Sequence, residues 1–240
     1  MKRSIYFISL ILLFLATSCA TRSPLDKLKK ELQQYPEYSI ILEDMLEKGN
    51  FFKDYYHRYK VVYAEPAGVG DSLIYHNFIT DLYKVGEGEY KKYYSYLGMV
   101  IVSKTRDGKV TDIPYPPGYQ YVGDPRYGRW RQDSYGNSFW EFYGKYAFLN
   151  AMFNMYGRSI YRSDWEDYRS YRTRGEPYFG QNRQYGTFGQ YTRQTHPTFF
   201  QRMQQKEAAR KMRFSEKIKR RVKRSNMSGF RRRSIIGFGK

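Results

Sequence analysis

The sequence predicts an α+β fold: N-terminal helices, a small antiparallel sheet and a buried apolar helix, followed by a largely disordered basic extension. Three observations carry the prediction. Leucines recur at helical spacing just after an apolar opening segment, β-branched and aromatic runs with a hairpin signal occupy the middle, and aliphatic residues nearly vanish after Ile160 while positive charge accumulates toward the end.

The chain opens with the cations Lys2 and Arg3 and then an apolar run from Ile5 to Ala16. A membrane-spanning helix needs about 20 apolar residues, so the run is too short to cross. A charged start, a short greasy core and small residues make an export signal. The small residues lead directly into Cys19, the only cysteine of the chain. The segment Leu15-Ala16-Thr17-Ser18-Cys19 resembles the lipobox of bacterial lipoproteins. That resemblance implies cleavage of residues 1–18, a diacylglyceryl group on the Cys19 thiol, an acylated new amino terminus and a lipidated tether over 19–24. One acyl chain holds a protein only marginally, whereas two or more hold it stably. The alternative is an ordinary secreted protein, but an exported chain with one leftover thiol asks for an explanation. Ala20 follows the cysteine where, in enterobacteria-like systems, an Asp marks inner-membrane retention, so the same resemblance implies the outer membrane of the cell envelope, in a source that has one.

Ser23-Pro24-Leu25-Asp26 reads as a helix start, with Ser23 as cap and Pro24 at the first position. Leu25, Leu28 and Leu32 share a face, and after Pro36 the pattern resumes as a second helix over 37–48 through Ile40, Ile41, Met45 and Leu46 to Gly49. Residues 59–65 and 96–104 have strand character. Asp107-Gly108 ahead of Val110 predicts a hairpin. Residues 71–83 fit helix or strand equally, and 113–130, with Pro114, Pro116, Pro117 and Pro125, reads as ordered loop and turns. Residues 138–156, SFWEFYGKYAFLNAMFNMY, are apolar almost all round, with Glu141 and Lys145 one turn apart. They read as a buried helix, the other reading being a membrane-interface segment. The domain is therefore placed at 25–156. Residues 157–200 form a linker rich in Tyr, Gly and Arg without aliphatic periodicity, expected to be extended or disordered chain that builds no core by itself and can drape over the domain, and 201–240 a basic tail.

Charge is distributed unevenly. The full chain carries a formal +19, yet Ala20 to Tyr156 holds 18 basic and 17 acidic residues, while Gln201 to Lys240 holds 15 basic and 2 acidic. Within the tail, Phe214, Ile218 and Val222 make a stripe at i, i+4 and i+8, surrounded by Lys217, Lys219, Arg220, Arg221, Lys223 and Arg224, with Arg231, Arg232 and Arg233 further on. This is the pattern of a basic amphipathic helix that meets a polyanion. An exported protein does not meet chromosomal DNA, so the partners that fit are anionic lipid or glycan of the envelope.

Ser138-Phe139-Trp140, Arg231-Arg232-Arg233 and Gly237-Phe238-Gly239 give the chain a loose resemblance to poorly characterised lipoproteins of the YgiB type. Ile235-Ile236 depart from that pattern where a glycine-rich spacer belongs, and the resemblance implies no fold or activity.

No motif asks for a cofactor or metal. His57, His76 and His196 are scattered, and Cys19 is assigned to lipid. The carboxylate groups Asp164 with Asp167, and Glu43 with Asp44 and Glu47, read as solvated helix faces. AGVGDS at 67–72 and KVGEGEY at 84–90 read as turns, the first lacking the lysine of a phosphate loop. The expected role is that of a non-enzymatic structural or interaction protein. The rival is a glycan-binding or glycan-active protein that uses exposed Tyr and Trp, for example Trp130 and Trp140, as stacking platforms.

Overall fold

A computed structural model describes residues 23–49, 52–68, 70, 72–155 and 158–231, with side chains as far as Arg224. The expected signal and Cys19 lie outside the described residues. The elements in chain order are α1 (Pro24–Leu32), β1 (Glu37–Lys48), β2 (Asp54–Pro66), β3 (Leu73–Ile79), β4 (Tyr83–Val85), α2 (Glu87–Tyr93), β5 (Val100–Lys104), β6 (Val110–Thr111), β7 (Gly128–Gln132), β8 (Ser138–Phe142), α3 (Phe148–Met152), α4 (Arg162–Arg174), α5 (Gln190–Thr195) and α6 (Pro197–Arg231). Helices around a small antiparallel sheet make the fold α+β, as expected.

The main sheet runs in the order β3-β2-β1-β5-β6, and β4 continues the β3 side of β2. Alternation along β1 and β2 divides the core into two layers. Tyr38, Ile40, Leu42, Tyr59 and Val61 face a layer made by Leu25, Leu28 and Leu32 of α1, Tyr90 and Tyr93 of α2, and Phe199 of α6. Ile41, Val62, Ala64 and Val100 face the opposite layer, where Tyr115, Tyr119, Tyr121, Leu149, Phe153 and Tyr168 pack. The α1 start is as expected, since the Ser23 hydroxyl accepts from the Asp26 amide. The hairpin also holds: Ser103 pairs with Thr111 and Lys104 with Val110, across a turn in which Gly108 takes φ +80°.

Several expectations are corrected. Residues 37–48 form β1, not a second N-terminal helix. β1 lies between β2 and β5 with both faces covered, so its apolar residues run continuously, and such a run does not distinguish strand from buried helix by period. Residues 138–156 are likewise not one helix. Ser138–Phe142 pairs with β7, Trp140 opposite Trp130, and only Phe148–Met152 is α-helical. The Glu141 carboxylate meets Arg129 and Arg131 across the hairpin, because the strand places Lys145 beyond helical register. Part of the segment is nonetheless core, since Trp140, Leu149, Phe153 and Met155 are buried, whereas Tyr143 and Phe148 are exposed.

The third correction concerns residues 157–200. From Arg158 on they hold helices α4 and α5, and Ile160, Tyr168, Tyr178 and Tyr185 are buried. Tyrosine bodies supply the apolar area here while their hydroxyls find partners: Tyr119 and Tyr178 both donate to the buried carboxylate of Asp164, which also accepts from the Gln181 amide at 3.2 Å. Asp164 is therefore no solvated helix face. Finally, 71–83 resolves into β3 and β4, and KVGEGEY is not a plain turn, since α2 starts at Glu87 with Gly86 as its cap.

Candidate anionic-surface interface

The basic tail enters the fold through an acidic strand. β1 carries Glu43, Asp44 and Glu47, and the chain from α5 to α6 brings a basic group to each. His196, between the two helices, places Nε2 3.8 Å from Glu43 Oε2. Arg202 donates to the Asp44 carboxylate and, at 3.3 Å, to the Met45 carbonyl. Lys206 Nζ lies 2.8 Å from Glu47 Oε1, which Lys53 approaches equally closely. The β1–β2 register shifts between Leu42 and Asp44, leaving Glu43 out of the ladder, as a bulge does when it re-aims a side chain. Burial would raise the Glu43 carboxyl, but His196, Lys60 and Arg58 outweigh it and hold it below the usual carboxylate range. Lys206 and Lys53 do the same for Glu47 against a smaller burial. These carboxylates, read from sequence as a solvated face, are the socket of α6. Apolar contact completes it: Phe199 is buried, Phe200 meets it edge to face at 5.2 Å, and Met203 packs against the same cluster.

Ala209, Arg210 and Arg213 still border Glu47 and Lys53, and beyond them the helix leaves the fold. Every side chain from Glu207 to Arg224 is exposed, and this stretch holds nine basic residues against Glu207 and Glu216. Phe214, Ile218 and Val222 expose 66%, 45% and 53% of their surface, so among the described residues none covers the stripe fully. Lys217, Lys219, Arg220, Arg221, Lys223 and Arg224 sit on the same helix around them. Arg231 is its last residue, and Arg232 and Arg233 lie outside the described residues. The sequence pattern identified the stripe and its cations but missed the root, His196, Arg202 and Lys206 with Glu43, Asp44 and Glu47. Their complementary charges were visible, but with 37–48 read as a helix nothing brought the two sets together.

The tryptophans do not form open platforms. Trp140 is buried, and Trp130 meets Trp140 at 5.2 Å and Trp165 at 5.4 Å, with the Arg162 guanidinium 5.3 Å from its ring. A cavity of about 500 Å³ beside them is lined by Phe139, Trp140, Phe142, Met155 and Arg158 and by one carboxylate, Glu141, which is already held by two arginines. That is not the pair of free carboxylates on which glycoside hydrolysis depends. The histidines are dispersed as their spacing suggests: His57 is buried against Tyr59, Tyr90 and Tyr93, and His76 lies beside Glu65.

Among the described residues no group of His, Cys, Asp and Glu could hold a metal ion, and no helix is long and apolar enough to cross a membrane. Comparison with protein-family models, with curated proteins and with solved structures finds no match.

Proposed function

We propose that this is a bacterial cell-envelope lipoprotein that acts by contact rather than catalysis, with Cys19 anchoring it to the outer membrane and helix α6 engaging anionic lipid or glycan. The observation that supports this most directly is the exposure of every side chain from Glu207 to Arg224 on a helix rooted at its other end. A helix exposed on all sides and rich in like charge is marginal in water by itself. An anionic surface supplies what it lacks: counter-charge for the cations, each contributing about 1 kcal/mol near the surface, and for the stripe a boundary in which to bury Phe214, Ile218 and Val222.

The test uses the full chain and sedimentation with anionic and neutral vesicles. Binding to anionic vesicles should weaken steeply with salt, because the field reaches only about 8 Å at physiological ionic strength. Replacing Lys219, Arg220, Arg221, Lys223 and Arg224 with Gln should remove the salt-dependent part. Ile218→Ser should lower affinity and leave the salt slope unchanged. Equal binding to anionic and neutral vesicles would sink the reading. The anchor is tested separately by mass spectrometry of the mature amino terminus, where an unmodified Cys19 would refute it.

A further inference from the structure

The chain leading from Cys19 and the root of α6 meet the same small helix. Ser23, four residues after Cys19, caps α1 and donates its hydroxyl to Glu89 of α2 at 3.0 Å. The next residue of α2, Tyr90, lines a cleft with Phe199, Arg202, Met203 and Lys206 of α6. Leu25 of α1, Tyr90 and Phe199 also belong to one apolar cluster, on one face of the sheet. Ser23, the first described residue, and the root of α6 therefore border neighbouring residues of α2. From Cys19 to Ser23 the chain spans at most about 14 Å. Along α6, Phe214 lies about 12 Å beyond Lys206 and Val222 about 24 Å.

From this juxtaposition we infer that α6 binds the anionic lipid headgroups of the same leaflet that holds the acylated Cys19, and not a facing membrane or a polymer. The inference rests on the lipid anchor and the surface-binding helix proposed above. Two arguments favour it. An apolar stripe flanked by cations is matched by a bilayer interface, where its side chains bury into the headgroup and acyl boundary, whereas a hydrated glycan offers the cations a partner and the stripe none. Anchoring also makes helix binding intramolecular. A second contact on a surface already held gains an effective concentration that one free helix does not have, provided the tether can span the two sites. Here the tether reaches at most about 14 Å, and the stripe begins about 12 Å beyond Lys206.

The test uses the full-length acylated protein with Ser215→Cys, a position beside the stripe, carrying an environment-sensitive fluorophore. Acylation of the Cys19 sulfur leaves the new thiol as the reactive one. In vesicles that contain phosphatidylglycerol the emission should shift to the blue. The shift should be absent in neutral phosphatidylcholine vesicles and in the variant with Lys219, Arg220, Arg221, Lys223 and Arg224 changed to Gln. Vesicles should not cluster, and Cys19→Ser should weaken anionic-vesicle binding about a hundredfold or more. A second arm holds the protein in neutral vesicles and adds protein-free anionic ones. A blue shift with clustering only in that arm would overturn the same-leaflet inference while leaving the surface-binding reading intact. No shift in either arm would overturn both.

Discussion

Arg202 of α6 donates to the carboxylate of Asp44, and the two residues are separated by 158 positions in the chain. Asp44 lies on β1, where it pairs with Arg58 of β2 beyond the stretch of β1 that pairs with β5, so this contact ties the base of the basic helix to the central strand of the sheet. Glu43 with His196 and Glu47 with Lys206 extend the attachment to either side. The helix thus has two parts: a root that takes acidic partners from its own chain, and a part whose side chains are exposed.

Arg202→Gln should loosen the root without unfolding the core. A charge-assisted hydrogen bond contributes about 1.5–3 kcal/mol, less when partly solvated, so amide exchange over 197–206 should speed up several-fold. The Leu25, Leu28 and Leu32 cluster should keep its protection. Unchanged exchange at the root would show that Phe199 and Met203 alone hold it.

Limited trypsinolysis should cut first beyond Lys206, at Arg210, Lys211 and Arg213, and leave a folded fragment that still contains residues 158–200. The linker expected from sequence would instead be cut between Arg158 and Arg202. Burial of Tyr168, Tyr178 and Tyr185 decides between the two, and early loss of α4 would contradict the packing described.

Tyr178→Phe should cost about 1–3 kcal/mol in urea unfolding, since it removes a donor from the buried Asp164 carboxylate while leaving the carboxylate in place. Tyr119 serves the same carboxylate, so Tyr119→Phe and Tyr178→Phe should not add in the double variant. Additive effects would argue against a shared site.

His57 gives a pH dependence whose sign follows from its burial, which pushes its pKa down from 6.5 to about 4. As pH falls below 6.5 the unfolded chain takes up a proton that the folded chain refuses, so this contribution is full above 6.5 and is lost between 6.5 and 4. The loss is of order 3 kcal/mol. Burial raises the Glu37 carboxyl against its Tyr75 and Tyr127 hydrogen bonds, which acts in the opposite direction, so the measurement is a difference. Stability of the wild type minus that of His57→Gln should fall across this window. A pH-independent difference would contradict a neutral buried His57.

Much of the local structure was legible from residues alone. Ser23-Pro24 starts a helix because capping and proline geometry act within four residues. Asp107-Gly108 turns a hairpin for equally local reasons, and the i, i+4, i+8 stripe on α6 follows from helical period. What the sequence left undecided depended on neighbours. Residues 37–48 are a strand because β2 pairs along their length and β5 along Tyr38 to Ile41, a pairing that apolar spacing does not encode. Trp140 is buried because β7 brings Trp130 opposite it. The tyrosines beyond Arg158 join the core because Asp164 and the far layer of the sheet receive their hydroxyls and rings. The root of α6 belongs to this second group, since ion pairs across more than a hundred residues exist only once the sheet has brought β1 beside the helix, whereas the charge of the tail is a property of composition and was evident from the sequence itself.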